Sequence, residues 1–225
     1  MFPNSKVGIR VNIIDMPNNE TYAGAFVGPK SRIGIIPSEF AETNRIAKKY
    51  NISINGLHVY LGTQKTNIDH FTTGAILLAR YLKFFGSLEY IDLGGGFGLP
   101  EDEQEFDFKK YNLEISALMK KISKDYGKHL QLILEPGRIL AGDSGIFITT
   151  ITDVKDRNDK SIILVDSSCG QFPQKLIYPD KPNLPHKILD NDGKTKKLAD
   201  VAGNTTYSKD YLATNTLLPK AKVGQ

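Results

Sequence analysis

The sequence predicts an α/β fold of parallel strand–helix units, followed by an antiparallel β segment. Three observations carry this expectation. Short β-branched runs alternate with long amphipathic helical stripes over residues 1–142. Helical connections of that length join parallel strands rather than hairpins. Over residues 143–225 the helical period gives way to β-branched runs separated by polar turns, so the chain of 225 residues divides into these two domains.

Residues 7–12 read as a short buried strand, followed by a loop rich in Pro, Asn and Gly that runs to about residue 36. A helix is expected over 38–50, with Ser38 as cap, Glu39 early and basic residues in its last turn. Residues 54–61 form the next strand. Phe71, Ala75, Leu78, Leu82 and Phe85 then recur at helical spacing over 67–85. A strand at 88–93 and a loop at 94–105 lead to a second strong helix over 107–126, expected to bury Phe108, Tyr111, Ile115, Leu118 and Ile122, before a strand at 130–134. Beyond these, 146–154 and 161–165 read as strands around a polar turn at 155–160, and 179–202 as loop with at most one short strand.

A composition of 40% hydrophobic and 24% charged residues supports a buried core. There is no run of about eighteen apolar residues, and Met1 to Lys6 lacks a signal-peptide pattern, so no membrane association and a cytoplasmic location are expected. The single Cys169 excludes an internal disulfide framework. The net charge of +4 is spread along the chain. Its short cluster Lys194, Lys196 and Lys197 lacks interleaved aromatics and reads as a solvated loop, so no nucleic-acid partner is expected.

In parallel α/β folds, function gathers where strands end. Arg10 in the first strand is either an inward ligand contact or a barrel-end ion pair. In Gly56-Leu57-His58-Val59-Tyr60-Leu61-Gly62-Thr63-Gln64, alternation puts His58, Tyr60 and Gly62 on one face, either as satisfied core residues or as a surface for a flat cofactor. Asp92-Leu93-Gly94-Gly95-Gly96-Phe97-Gly98 is either a flexible turn or a place where backbone N–H groups approach an anion; Leu99 stands where a dinucleotide fingerprint needs glycine. In Glu135-Pro136-Gly137-Arg138 the acid and cation either pair or serve a ligand, Gly137 and Arg138 facing a phosphate and Glu135 a ring nitrogen.

In order and spacing, G-L-H-V-Y-L-G-T-Q, I-D-L-G-G-G-F-G and L-E-P-G-R resemble the sixth, seventh and eighth barrel strands of the pyridoxal-phosphate (PLP) dependent ornithine, diaminopimelate and arginine decarboxylases, whose barrel is of the alanine-racemase type. Residues 7–12 and K-S-R-I-G-I at 30–35 are similar to that family's fifth strand and the segment after it. The stretch 165–178, the segment 203–210 (family pattern G-P-x-C-[DE]-x-x-D) and residues 218–224 resemble its β domain. The resemblance implies the second half of a TIM-type (β/α)8 barrel followed by part of an antiparallel β domain. It implies PLP as cofactor, with Thr63, Gly94, Gly95, Gly96, Gly137 and Arg138 around the phosphate and Glu135 at the pyridine nitrogen. Arg10 is placed nearby, and Tyr60 stands where the family stacks a histidine on the ring. Homodimerisation, or association with a complementing chain, is implied as well.

The family's cofactor-binding lysine lies on the first barrel strand, and no lysine here has that setting. Three positions stand where the family meets substrate: Gln174 in place of an arginine, Thr206 in place of a cysteine that reaches the neighbouring subunit, and the retained Asp210, with Tyr207 replacing the acid next to Thr206. The leading expectation is a PLP-dependent amino-acid decarboxylase, or a chain fragment of one. The rival is a catalytically inactive relative acting as a protein-binding module; a racemase on the same barrel is a third reading. The substitutions argue against assigning diaminopimelate or ornithine as substrate.

Overall fold

The computed structural model describes residues 5–16, 26–99, 105–142, 144–191 and 193–225. Parts of the expected loops at 13–36 and 94–105 lie outside the described residues. Two compact units result, Met1–Gly145 and Ile146–Gln225.

The first unit holds β1 (Lys6–Arg10), α1 (Phe40–Lys49), β2 (Ser53–His58), α2 (Ile68–Ala79), β3 (Tyr90–Asp92), α3 (Phe108–Tyr126), β4 (Gln131–Ile133) and the short α4 (Arg138–Ala141). Its sheet runs β1-β2-β3-β4, every ladder parallel. That is the expected α/β arrangement, because each helix returns the chain to the same end of the sheet. Beyond β1, only an isolated parallel bridge joins Val11 to Ile35. One ladder row, Gly8–Gly56–Tyr90, explains two glycines: a Cβ at either would overlap the Tyr90 ring lying across them.

The 3-10 turn Pro37–Glu39 that leads into α1, and the starts of α2 and α3, have a local cause. Glu39 accepts from the Ile36 N–H at 2.9 Å, Asn67 from Asp69 N–H at 2.9 Å, and Asp107 from Lys110 N–H at 2.9 Å. α3 ends at Gly127, whose φ of +79° suits the left-handed cap. Tyr111, Ile115, Met119 and Ile122 form its buried stripe. Phe108 departs from expectation and is 48% exposed, because it starts the helix at the edge of the aromatic cluster formed by Phe71, Phe97, Phe106 and Tyr111. Leu118 is half-buried. The helix expected over 67–85 stops at Ala79; Leu82–Phe84 is a separate 3-10 turn. This break lets Phe85 O accept from the Tyr126 hydroxyl at 2.7 Å while that oxygen accepts from Leu88 N–H.

The second unit holds β5 (Ile151–Arg157), β6 (Lys160–Val165), α5 (Gln174–Ile177), β7 (Lys196–Ala202) and β8 (Tyr211–Pro219), in sheet order β5-β6-β7-β8. The sheet is mixed: β5–β6 and β7–β8 are antiparallel, whereas β6–β7 is parallel, since the long segment between them crosses back over the sheet. The polar stretch expected as a turn is mostly strand. Only Asn158 and Asp159 turn, with Asn158 at φ +37°. Ile146 and Ile148, expected in a strand, are 89% and 70% exposed ahead of β5. Lys196 and Lys197 belong to β7 rather than to a loop, and Lys197 pairs with Asp156 at 3.0 Å. The final strand, β8, ends at Pro219, so of the stretch 218–224 likened to the family's β domain only its first two residues are in a strand. No described helix is long and apolar enough to cross a membrane.

Candidate active site

The parallel register of β1, β2 and β3 sets Arg10 beside His58 and His58 beside Asp92 at the carboxyl ends of the strands. Residues at one level of a parallel ladder share a face. Glu135 follows β4 and extends this row: ligand atoms of His58, Asp92 and Glu135 all lie within 4.8 Å of one another. His58 Nε2 is 3.6 Å from Glu135 Oε2, an ion-pair distance rather than a hydrogen bond, and is buried without a hydrogen-bond partner. Burial lowers the His58 pKa, with Asp92 and Glu135 opposing and Arg10 reinforcing the shift. The imidazole is therefore neutral at pH 7.

Arg10 projects over the Tyr60 ring, with Cζ 5.5 Å from its centroid, and Phe26 meets Tyr60 edge-on at 4.9 Å. Arg10 donates from Nη2 to Phe26 O at 3.4 Å, while its buried Nε has no partner. Of the two readings of Arg10, the geometry gives neither a simple ion pair nor a fully satisfied group. It leaves a cation with an unused donor near an aromatic face.

The glycine run has a packing reason. A Cβ on Gly95 would overlap Glu135 O, and one on Gly96 would overlap Gly62 O. Gly94 and Gly96 also take φ of +66° and +90°. These loops are zipped together: Lys65 N–H donates to Gly96 O at 2.8 Å, Gly98 N–H to Lys65 O at 3.0 Å, and Glu135 N–H to Gly94 O at 2.9 Å. The Gly94 N–H is occupied by Asp92 Oδ1 at 2.8 Å. The N–H groups of Gly95 and Gly96 have no acceptor among the described residues. Thr63 is exposed beside this run, Gly137 has open space where a Cβ would go, and Arg138 is exposed with Nη1 3.3 Å from Gln64 Oε1.

Thus Arg10, Tyr60, Thr63, Gly94, Gly95, Gly96, Glu135, Gly137 and Arg138 all lie at or just beyond the carboxyl ends of β1 to β4. Within the second unit, Asp210 is 4% exposed and accepts from Cys169 N–H at 2.6 Å, Thr205 N–H at 2.9 Å and Thr205 Oγ1 at 2.5 Å. Thr206 is exposed on the same turn. Gln174 begins α5, where its Nε2 donates to Pro182 O at 3.1 Å and its Oε1 is buried without a partner. From sequence, His58 is either a core or a cofactor-facing residue, with no reason to group it with Asp92 and Glu135. The available signal was the common level of the strand ends, visible only when the strands are aligned as a ladder.

The site suits an anionic, flat, nitrogen-containing ring such as PLP. The N–H groups of Gly95 and Gly96 lack acceptors among the described residues, and a carboxylate stands next to a histidine with an orphaned nitrogen. Comparison with known proteins agrees. Residues 1–142 match the family described as pyridoxal-dependent decarboxylase, pyridoxal binding domain. A diaminopimelate decarboxylase of Aquifex aeolicus is 28% identical over 98% of this chain and 52% of its own length, so the chain spans about half the length of such curated relatives. One from Buchnera aphidicola is 32% identical over 67% of this chain and 36% of its own. A crystal structure of diaminopimelate decarboxylase superposes with a TM-score of 0.82 at 22% identity, over 99% of this chain and 55% of that one. On the match over its first 142 residues, the chain belongs to the pyridoxal-dependent decarboxylase family.

Proposed function

We propose that this chain forms part of a PLP-dependent decarboxylase acting on an amino acid. The observation that carries the reading is the convergence of Arg10, His58, Asp92 and Glu135 beside the zipped glycine loop, within a match to the pyridoxal binding domain. When bound, PLP supplies a conjugated ring that accepts the electron pair released as the substrate loses carbon dioxide. The residues present serve that chemistry from three sides. Glu135 holds a proton on the ring nitrogen, because a carboxylate favours the charged form of an adjacent base. Neutral His58, 3.6 Å from Glu135, restricts where that carboxylate can point. The N–H groups of Gly95 and Gly96, the hydroxyl of Thr63, the Gly137 turn and the Arg138 guanidinium would hold the phosphate, and Tyr60 and Arg10 would hold the ring.

Gln174, Thr206 and Asp210 stand where the family meets substrate, and we assign them to substrate recognition in the assembled protein. The relatives named above are diaminopimelate decarboxylases, and a solved lysine/ornithine decarboxylase of Vibrio vulnificus, described with cadaverine, has a TM-score of 0.71. A small amino acid is the substrate class these names support. We assign the activity to the assembled protein, proposed as a cytoplasmic homodimer or a complex with a complementing chain.

The test is titration of the assembled protein with PLP, followed by carbon dioxide release from a panel of amino acids. Saturable binding and release are expected. Glu135→Gln is expected to keep binding PLP while release falls by on the order of a hundredfold, the usual cost of one well-placed electrostatic group. Absence of PLP binding sinks the reading.

A further inference from the structure

Three loops meet on the last side chain of the G-L-H-V-Y-L-G-T-Q motif, to which the family resemblance gave no role. Gln64 follows β2 and sits at φ +55°, a backbone region that side-chain-bearing residues rarely adopt. Its amide grips Leu99 at both ends: Nε2 donates to Leu99 O at 2.9 Å, and Oε1 accepts from Leu99 N–H at 3.3 Å. The same Oε1 accepts from Arg138 Nη1 at 3.3 Å. One half-buried amide therefore joins the loop after β2 to the end of the glycine loop after β3 and to the cation after β4.

Arg138 has no carboxylate partner among the described residues; this hydrogen bond is the fixed point of an otherwise exposed guanidinium. A long cationic side chain left free loses rotamer entropy when a ligand immobilises it, whereas a tethered one is already oriented. The backbone bridge between Lys65 and Phe97 positions the glycine loop, but it does not touch Arg138. Glu135 N–H to Gly94 O ties the backbones of the glycine loop and the loop after β4, but among the described residues Gln64 is the side chain that holds the Arg138 guanidinium.

We propose that Gln64 is a positioning residue that holds Arg138 and the glycine loop in register for a phosphate ester. This rests on the proposed cofactor reading and deepens it by assigning the phosphate subsite's alignment to one amide. Gln64 acts through Arg138, without contacting the reacting atoms.

The experiment compares equilibrium binding of PLP and of pyridoxal, which lacks the phosphate, to the assembled protein. Parent, Gln64→Ala, Gln64→Met, Arg138→Ala and the Gln64→Ala/Arg138→Ala pair are measured, with thermal unfolding recorded alongside. The parent is expected to prefer PLP strongly. Both Gln64 variants are expected to lose roughly tenfold of that preference, the scale of one hydrogen bond to a charged group, with pyridoxal binding unchanged. In the Arg138→Ala background, Gln64→Ala is expected to cost less than about twofold more, as coupled residues show. Retained preference in folded Gln64 variants overturns the proposal and leaves the cofactor reading standing. Equal losses for PLP and pyridoxal, or losses that simply add in the double variant, assign Gln64 a general structural role and overturn it too. A parent that does not distinguish PLP from pyridoxal removes the cofactor reading itself.

Discussion

Substituting Gly96 by alanine tests whether the glycine run exists for loop packing as well as for ligand approach. The residue lies at φ +90°, where an L side chain costs roughly 1–2 kcal/mol. The added methyl would also overlap Gly62 O. Relieving that overlap separates the loops after β2 and β3 and stretches two hydrogen bonds, Lys65 N–H to Gly96 O and Gly98 N–H to Lys65 O, each worth about 1 kcal/mol. The expected loss is therefore about 3–4 kcal/mol. Urea unfolding of parent and Gly96→Ala gives this directly, and hydrogen exchange at the Lys65 amide reports the opened bridge. Gly137→Ala is the internal control: its φ is −111° and nothing lies within 4 Å of the added atom, so a change below about 0.5 kcal/mol is expected. Equal stabilities for Gly96→Ala and the parent, with the Lys65 amide still protected, would refute the packing argument.

Two further predictions concern titration. Burial works to raise the Asp210 pKa, and hydrogen bonds from Thr205 and Cys169 outweigh it, holding the carboxyl below its usual value of 3.8. A depressed carboxylate stabilises the fold above 3.8 and loses that contribution as pH falls through the lower folded value. Asp210→Asn, which leaves at least one buried donor without an acceptor, is expected to cost about 2–4 kcal/mol at neutral pH and to flatten this acid limb in chemical unfolding curves. An unchanged acid limb would show that Asp210 is not the group responsible. For His58 and His70 the folded pKa lies below the usual 6.5, chiefly through burial, so stability is complete above 6.5 and declines as pH falls further. His58→Gln is expected to shrink that decline, measured as thermal midpoint against pH between about 7 and 5; the same slope in both proteins would contradict it.

The fold was legible where local chemistry and long-range packing agree. Asn67 and Asp107 carry caps that any helix start needs, and Tyr111, Ile115 and Ile122 keep helical spacing, so α2 and α3 were readable from neighbours in sequence. Phe108 was misplaced because periodicity assigns it to the apolar stripe, whereas its exposure depends on where the helix begins relative to the aromatic cluster. The second unit was harder. Exposed Ile146 and Ile148 have the β-branched character of a strand but lie outside the sheet, while the charged residues Lys155, Asp156 and Arg157 pair within it. Strand propensity measures fit to a half-buried surface, and the surface is supplied by distant residues.

By itself, the sequence determined the alternation of strands and helices and the strand-end motifs that place the chain in its family. These follow from backbone sterics, apolar periodicity and short-range hydrogen bonds. Only the tertiary structure decided that Arg10, His58, Asp92 and Glu135 stand together, that Gly95 and Gly96 are spacers between loops, and that Gln64 reaches both Leu99 and Arg138. The physical reason is register. Parallel ladders fix which residues of separate strands share a level, and that alignment is set by the whole packed sheet rather than by any one segment.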